Sequence, residues 1–254
     1  MRHVTAILRR DLANYFLSPT AYLILLAFQA IAWLNFWELV DILTRRQVAF
    51  STLNDPMNTY ISGSFAFWIA IMVAIPALTM RLLAEERRSG TIESLLTAPV
   101  TETEVVLAKW LAGVFMYLAL LLPFAIYLPF LRNLGRFDFE LGPLISLAIG
   151  LTTLGMMFTS IGVFFSAVTK NQIVAAVSTF AVLFMLMLVT MMAYSYAAER
   201  RLAWAEPLRF VAVFYQVHAF GTGRLDPRFL VLHLSACTFM LYLSVKVLES
   251  RRDQ

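Results

Sequence analysis

The sequence has few of the residues that metal sites and most catalytic sites require. It contains one cysteine, Cys237, and three histidines in 254 residues. A single cysteine excludes an internal disulfide and a thiolate metal site. His3, His218 and His233 do not form the pairs on one helix that bind zinc, and we expect His233, inside an apolar stretch, to be packed and hydrogen-bonded. We therefore predict no catalytic residue, no metal ligand and no cofactor bound by this chain.

A phosphate-binding loop is also absent from the sequence. The pattern G-x-x-x-x-G-K-[ST] does not occur, and no glycine is followed by lysine. The adjacent Glu85 and Glu86 invite comparison with intramembrane metalloproteases of the CAAX-protease type, but Gly90 stands where that motif has an arginine. If ATP drives this protein, we expect ATP and Mg²⁺ to be bound by another polypeptide.

Charged residues are scarce, at 14% of the chain, whereas hydrophobic residues make up 60%. A soluble domain has about a quarter charged residues and about half apolar residues. Lipid is therefore expected to replace water as the main solvent. The formal net charge of +4 is spread along the chain without a basic run, which favours contact with lipid headgroups over nucleic-acid binding.

Six apolar stretches reach the length of about 20 residues that a helix needs to cross a bilayer. They cover residues 20–37, 61–80, 105–131, 141–168, 173–193 and 229–247. None has a charged residue at its middle, which disfavours a proton- or sodium-coupled carrier. Glu38, Lys109 and Lys246 lie near the ends of spans, where we expect long side chains to extend to the headgroups. The prediction is one all-α polytopic membrane domain over residues 1–254, with both termini on one side.

The residues before the first span have an amphipathic pattern. Their apolar face consists of Val4, Ile7, Leu8, Leu12, Tyr15 and Phe16, and Arg2, Arg9, Arg10 and Asn14 fall away from it. We predict an interfacial helix over residues 1–19 that ends at Ser18-Pro19, with an extension of the first span as the alternative. The aromatic segment 195–228 before the last span is expected to pack against the membrane on its outer side, as a gate or as a cap.

The connection between the second and third spans, residues 81–100, is the most distinctive segment. It reads RLLAEERRSGTIESLLTAPV, with Gly90 between a charged half and a short amphipathic half that ends at Pro99. Thr101 and Glu104 then form a capping box before the third span. A short amphipathic helix is marginal alone and needs a surface to pack on. An ordinary charged connection between two spans is the alternative.

This connection carries a family resemblance. The residues that carry it are Glu86 to Glu93, then Leu95, Leu96, Pro99 and Lys109. The pattern resembles the loop of ABC type-2 transporter permeases, in which a Gly-Thr-x-Glu core follows an acidic and basic cluster and forms a cytoplasmic coupling helix that docks on an ATPase subunit. The resemblance implies a docking segment with these members: Glu85, Glu86, Gly90, Thr91, Ile92, Glu93, Leu95, Leu96 and Pro99.

A second resemblance lies at the short connection between the fourth and fifth spans. Residues 162–175, GVFFSAVTKNQIVA, are similar to the corresponding turn in permeases of the gliding-motility type. The likeness implies a further ATPase contact at Thr169, Asn171 and Gln172. A purely structural hairpin is the alternative, since Thr and Asn suit a tight turn between helices.

Together these resemblances imply the permease subunit of an ATP-driven transporter in a bacterial inner membrane. We expect it to pair with a second permease copy or a related chain and with two ATPase subunits, with both termini in the cytoplasm. An interior without ionised groups suits a lipid-like cargo, which the sequence does not identify. The alternative function is an ATPase-docked membrane scaffold or force-transmitting subunit that moves no substrate.

Overall fold

The computed structural model describes residues 2–44, 64–90, 100–135 and 141–252. Within these ranges the chain forms ten α-helices and no strand. In chain order they are α1 (Arg2–Leu17), α2 (Pro19–Thr44), α3 (Phe65–Thr79), α4 (Ala84–Ser89), α5 (Glu102–Gly135), α6 (Leu141–Val168), α7 (Gln172–Glu199), α8 (Ala205–Val211), α9 (Val213–Gly221) and α10 (Pro227–Arg252). The predicted all-α class is confirmed.

Six stretches of helix in the described residues are long and apolar enough to cross a membrane. They are Pro19–Glu38, Phe65–Ser89, Glu102–Pro123, Gly142–Val168, Gln172–Glu199 and Pro227–Ser250. Each overlaps one of the six spans expected from the sequence, so the polytopic prediction is confirmed. The helix of the second span continues through Pro76 and ends at Thr79.

The amphipathic residues at the start of the chain form α1, and the helix ends where Ser18-Pro19 was expected to end it. The backbone N–H of Ser18 donates to the carbonyl of Tyr15 at 3.1 Å, and α2 begins at the next residue. Helix α1 packs mainly against α5. The Tyr15 hydroxyl donates to the carbonyl of Leu78, and burial raises the pKa of this phenol, so Tyr15 remains a neutral donor.

Helix α6 lies at the centre of the bundle and contacts α3, α4, α5, α7, α9 and α10. The spans differ in burial, because 67% of the second span but only 28% of the fifth is buried inside the chain. Large apolar side chains such as Ile173, Val177 and Met192 are therefore exposed along α7. A face of this kind contacts lipid or another protein in a membrane.

The segment 195–228 folds onto the bundle of this chain. Helix α9 packs on α6 and buries Val217 and Phe220. His233 of α10 is buried and bonded at both ring nitrogens, to the Thr153 hydroxyl at 3.0 Å and to the Gln216 amide oxygen of α9 at 3.0 Å. The expectation that His233 is a packed, hydrogen-bonded residue is confirmed.

Glycines on α6 allow neighbouring elements to approach its backbone closely. A Cβ atom built on Gly155 would overlap the ring of Tyr117, and one on Gly162 would overlap Thr79. The Tyr117 hydroxyl donates to the carbonyl of Leu151 at 3.0 Å, so the ring cannot move away without losing this bond. Small residues at such crossings are how membrane helices gain van der Waals contact.

We predict that Gly155→Ala lowers the free energy of unfolding by about 1–3 kcal/mol, because the added methyl group overpacks the contact with Tyr117. Gly142→Ala is the matched control, since a Cβ there meets nothing within 4 Å. Thermal unfolding in mild detergent measures both variants. A Gly155→Ala variant as stable as Gly142→Ala would contradict the close packing of α5 on α6.

Candidate functional site

The candidate site lies where α1, α4, the first turns of α5 and the turn between α6 and α7 meet; we call this region the α4 end. Helix α4 has Glu85 and Glu86 in its first turn and Arg87 and Arg88 in its last, an order that suits the helix dipole. Gly90 follows with φ of 73°, a left-handed conformation that favours glycine. The predicted end of the helix at Gly90 is confirmed.

The rest of the expected docking segment falls on residues 91–99. Its members Thr91, Ile92, Glu93, Leu95, Leu96 and Pro99 lie outside the described residues. The chain is described again from residue 100, and the expected capping box is present there. The Glu104 N–H donates to the Thr101 hydroxyl at 3.3 Å, and the Thr101 N–H donates to the Glu104 carboxylate at 3.2 Å.

Four charged side chains form an ionic cluster at the α4 end: Arg10 and Asp11 of α1, Glu86 of α4 and Lys109 of α5. The Lys109 ammonium lies 3.1 Å from Asp11 and 3.0 Å from Glu86. Arg10 lies 3.1 Å from Asp11 and 2.6 Å from Glu86. The cluster has two cations and two anions, so its charges balance, and it joins α1 to two helices, α4 and α5, that lie far from it in the sequence.

Burial makes this balance necessary. The side chains of Lys109 and Asp11 are only 3% and 7% exposed. A buried charge without a partner costs several kcal/mol, whereas a bonded pair offsets most of that cost. Burial also disfavours the charged form of Arg10, but attraction to Asp11 and Glu86 outweighs it and raises the pKa of Arg10, which therefore stays ionised.

The expectation that Lys109 extends to the headgroups is wrong. Its ammonium is directed into the protein because α1 and α4 place two carboxylates beside the start of α5. Asp11 was not singled out from the sequence. It lies one helical turn after Ile7 and one before Tyr15, on the apolar face of α1. An acidic residue on an apolar helix face indicates a buried basic partner, and this signal was present in the sequence.

A second set of bonds fixes α4 to α6. The Ser166 hydroxyl accepts the backbone N–H groups of Leu83 and Ala84, both at 3.0 Å, and donates to the carbonyl of Met80 at 3.1 Å. Ser166 thus caps the start of α4 from a different helix. The Arg87 guanidinium also donates to the carbonyl of Ala167. Ser166 belongs to the second motif, but its sequence did not indicate this role.

The turn between α6 and α7 lies beside α4, so the two segments singled out from the sequence are neighbours. The Thr169 hydroxyl accepts from the Asn171 N–H at 3.1 Å, and the Asn171 side chain accepts from the Ile173 N–H at 2.9 Å. Asn171 is therefore the N-cap of α7. These bonds give Thr169 and Asn171 a structural role, and a partner contact at Thr169, Asn171 and Gln172 stays a prediction.

Metal-binding groups are not assembled in the described part of the chain. Within it, no group of three or more His, Cys, Asp or Glu side chains is arranged to hold a metal ion. The buried carboxylate of Asp11 and the partly buried carboxylate of Glu86 form ion pairs with the side chains of Arg10 and Lys109. What the α4 end offers is a set of bonds between helices.

Comparison with known proteins places these features in a family context. A family profile described as "ABC-2 family transporter protein" matches residues 7–242. The match includes most of α1, all of α4 and the whole of the ionic cluster. No curated protein matches the chain. The likeness to permeases of the gliding-motility type stays a prediction.

We predict that Lys109→Met destabilises the protein by about 3–5 kcal/mol, because it leaves the buried Asp11 carboxylate and the partly buried Glu86 carboxylate with too little positive charge. Adding Asp11→Asn to Lys109→Met should restore a large part of the loss, since one of these anions is then removed. Thermal unfolding of the two single variants and the double variant measures this coupling.

The matched control is Lys246→Gln, because Lys246 forms an exposed ion pair with Glu249 at 2.6 Å. Exposed pairs contribute little, so this variant should unfold like the unaltered protein. Additive effects of Lys109→Met and Asp11→Asn would contradict the ionic cluster.

Proposed function

The chain belongs to the ABC-2 family of transporter proteins, and we propose that it is the membrane-spanning permease subunit whose helices are moved by ATP hydrolysis on a separate ATPase subunit. In this proposal ATP and Mg²⁺ bind to the ATPase, and this chain binds neither. The chain spans the inner membrane of a bacterial cell. The α4 end and both termini face the cytoplasm.

The ATPase docks on the segment that begins at α4 and continues past Gly90. Its proposed contact residues are Glu85, Glu86, Gly90, Thr91, Ile92, Glu93, Leu95, Leu96 and Pro99. One observation carries this proposal: α4, which directly precedes residues 91–99, is bonded to α1 and α5 through the ionic cluster and to α6 through Ser166 and Arg87. A displacement applied after Gly90 would therefore act on several helices together.

ATP binding changes the conformation only as far as the ATPase binds one permease conformation better than the other. Because α4 is bonded to several helices, an ATPase contact beside α4 can favour one conformation of the whole bundle over another. Since α6 contacts α3, α5, α7, α9 and α10, a shift of α4 against α6 reaches both ends of the protein.

The permease pairs with a second copy or a related chain through its exposed spans. Support comes from the low burial of α7 and from an apolar cleft of ≈ 730 Å³ between α3, α7 and α9. Trp68, Met187 and Phe214 are among the residues that line this cleft. Such a lining suits a lipid-like or amphipathic cargo, which an apolar wall with few polar groups can hold.

A membrane scaffold or force-transmitting subunit is the second candidate function, since it would use the same docking segment. Transport separates the two. The purified complex in liposomes should move a labelled lipid-like probe in an ATP-dependent manner if the chain is a permease. ATPase activity that responds only to a protein on the outer face, without lipid movement, would favour the scaffold.

We predict that a soluble protein with a phosphate-binding loop co-purifies with the tagged chain in mild detergent and gives the eluate ATPase activity. Leu96→Glu should reduce recovery of this protein about tenfold or more, as expected when a central apolar contact of an interface becomes charged. Mass spectrometry and an ATPase assay measure the outcome, and Glu93→Ala tests the polar side of the same contact.

Leu225→Glu is the matched control, because Leu225 is exposed in the connection before α10, at the other end of the bundle. It should leave recovery of the ATPase unchanged. Equal recovery with Leu96→Glu and with Leu225→Glu would refute the docking assignment. Recovery of the chain alone from several detergents would refute the permease proposal.

A further inference from the structure

A second cleft opens at the α4 end, between α1, the start of α2 and the junction of α3 with α4. Its volume is ≈ 380 Å³. The family assignment gives this cleft no role, and of its lining only Glu85 and Glu86 are among the proposed ATPase contacts. Its lining combines charged side chains with apolar ones.

On α2 and at the end of α3, the apolar residues of the lining lie further into the spans than Ser18 and Arg81 do. Helix α2 enters the span at Pro19, and Ala21 and Ile24 of the lining follow within two turns. Ala77 of α3 lies on the opposite wall, before the helix ends at Thr79. The cleft thus passes from the headgroup level to the first part of the hydrocarbon layer, as the upper part of a phospholipid does.

One side of the cleft is a group of hydrogen-bond donors. An Arg81 guanidinium nitrogen donates to the Ser18 hydroxyl at 3.2 Å and to the Thr20 hydroxyl at 2.6 Å. The two hydroxyl oxygens are 2.6 Å apart, so one of them donates to the other. Since both oxygens accept from Arg81, one hydroxyl proton remains for a ligand. Guanidinium and hydroxyl donors converging in this way suit a phosphate oxygen.

The other side of the cleft is acidic. Glu85 lies 3.0 Å from Arg81 and is 48% exposed, so its carboxylate can accept further hydrogen bonds from a ligand. The cations of the lining are Arg10, Arg81 and Lys109, and the anions are Asp11, Glu85 and Glu86. Three cations against three anions give no net charge. An anion alone is therefore not favoured, and a headgroup with both charges is.

We propose that this cleft binds the headgroup of a phosphatidylethanolamine from the adjacent leaflet. The phosphate accepts hydrogen bonds from Arg81 and from the Thr20 hydroxyl, while the Ser18 hydroxyl donates to Thr20. The ammonium donates hydrogen bonds to Glu85, and the first acyl carbons contact Ile24 and Ala77. In a choline headgroup, methyl groups replace the N–H donors, so no hydrogen bond to Glu85 can form. Phosphatidylglycerol has no ammonium that could bond to Glu85, and its net negative charge gains no attraction from a lining whose charges balance.

The test uses the full-length chain in nanodiscs that contain, in separate samples, phosphatidylethanolamine, its mono-, di- and trimethylated forms, or phosphatidylglycerol. Native mass spectrometry after release measures how much lipid stays bound. Retention should fall with each added methyl group, and about tenfold from the unmethylated to the trimethylated lipid. Equal retention across this series, or preferred retention of phosphatidylglycerol, would overturn the proposal.

Variants locate the site. Thr20→Val removes a phosphate donor at nearly constant volume, and Glu85→Gln removes the charge that attracts the ammonium. Each should lower phosphatidylethanolamine retention about tenfold, and Glu85→Gln should also weaken the dependence on methylation. Lys246→Gln is the control, since it alters an exposed ion pair away from the cleft. Unchanged retention in both cleft variants would overturn the assignment.

The source of the headgroup is tested in the same system. Soluble glycerophosphoethanolamine carries the same charged groups without acyl chains. Displacement of the bound lipid only at large excess supports a membrane lipid, because the acyl contacts then contribute to binding. Displacement at equal concentration would overturn the lipid assignment in favour of a soluble ligand. ATPase recovery is measured in parallel with Thr20→Val, which alters the cleft but none of the proposed docking residues, so the outcome for the lipid is separated from the outcome for the docking.

Discussion

A lysine buried beside the start of a membrane span constrains how the α4 end is assembled. The ammonium of Lys109 is stable there only with carboxylates in direct contact, and these come from α1 and α4. Helix α1 must therefore pack against α5, and α4 must bring Glu86 beside Lys109. The position of the first helix and the starting point of the proposed docking segment follow from this one electrostatic requirement.

The ionic cluster acts together with bonds that extend into the bundle. Ser166 and Ala167, at the end of α6, hold the first turn of α4 and the Arg87 side chain. Helix α6 in turn uses its glycines to approach α3, α5 and α9. The part of the chain nearest the proposed ATPase contact is thus joined to the helix that touches most of the other spans, which is what a mechanical coupling between the two requires.

Local features of the sequence predicted much of this structure. Length and hydropathy gave the six spans, amphipathic spacing gave α1, and the break at Gly90 and the box of Thr101 and Glu104 followed from backbone preferences. The pairing of Lys109 with Asp11 could not be derived in the same way, because it depends on which helices are neighbours. The same holds for Ser166, whose partners are more than 80 residues away.

In the proposed coupling, α1, α4 and the start of α5 form a single unit that moves together when the ATPase acts. Spin labels on His3→Cys and Arg88→Cys, both exposed positions, measure the distance from α1 to α4 in a Cys237→Ala background. Labels on Arg88→Cys and Leu225→Cys measure the distance from α4 to the opposite end. In the ATPase complex, adding ATP should leave the first distance unchanged and shift the second. A change in the first distance as large as that in the second would contradict the account.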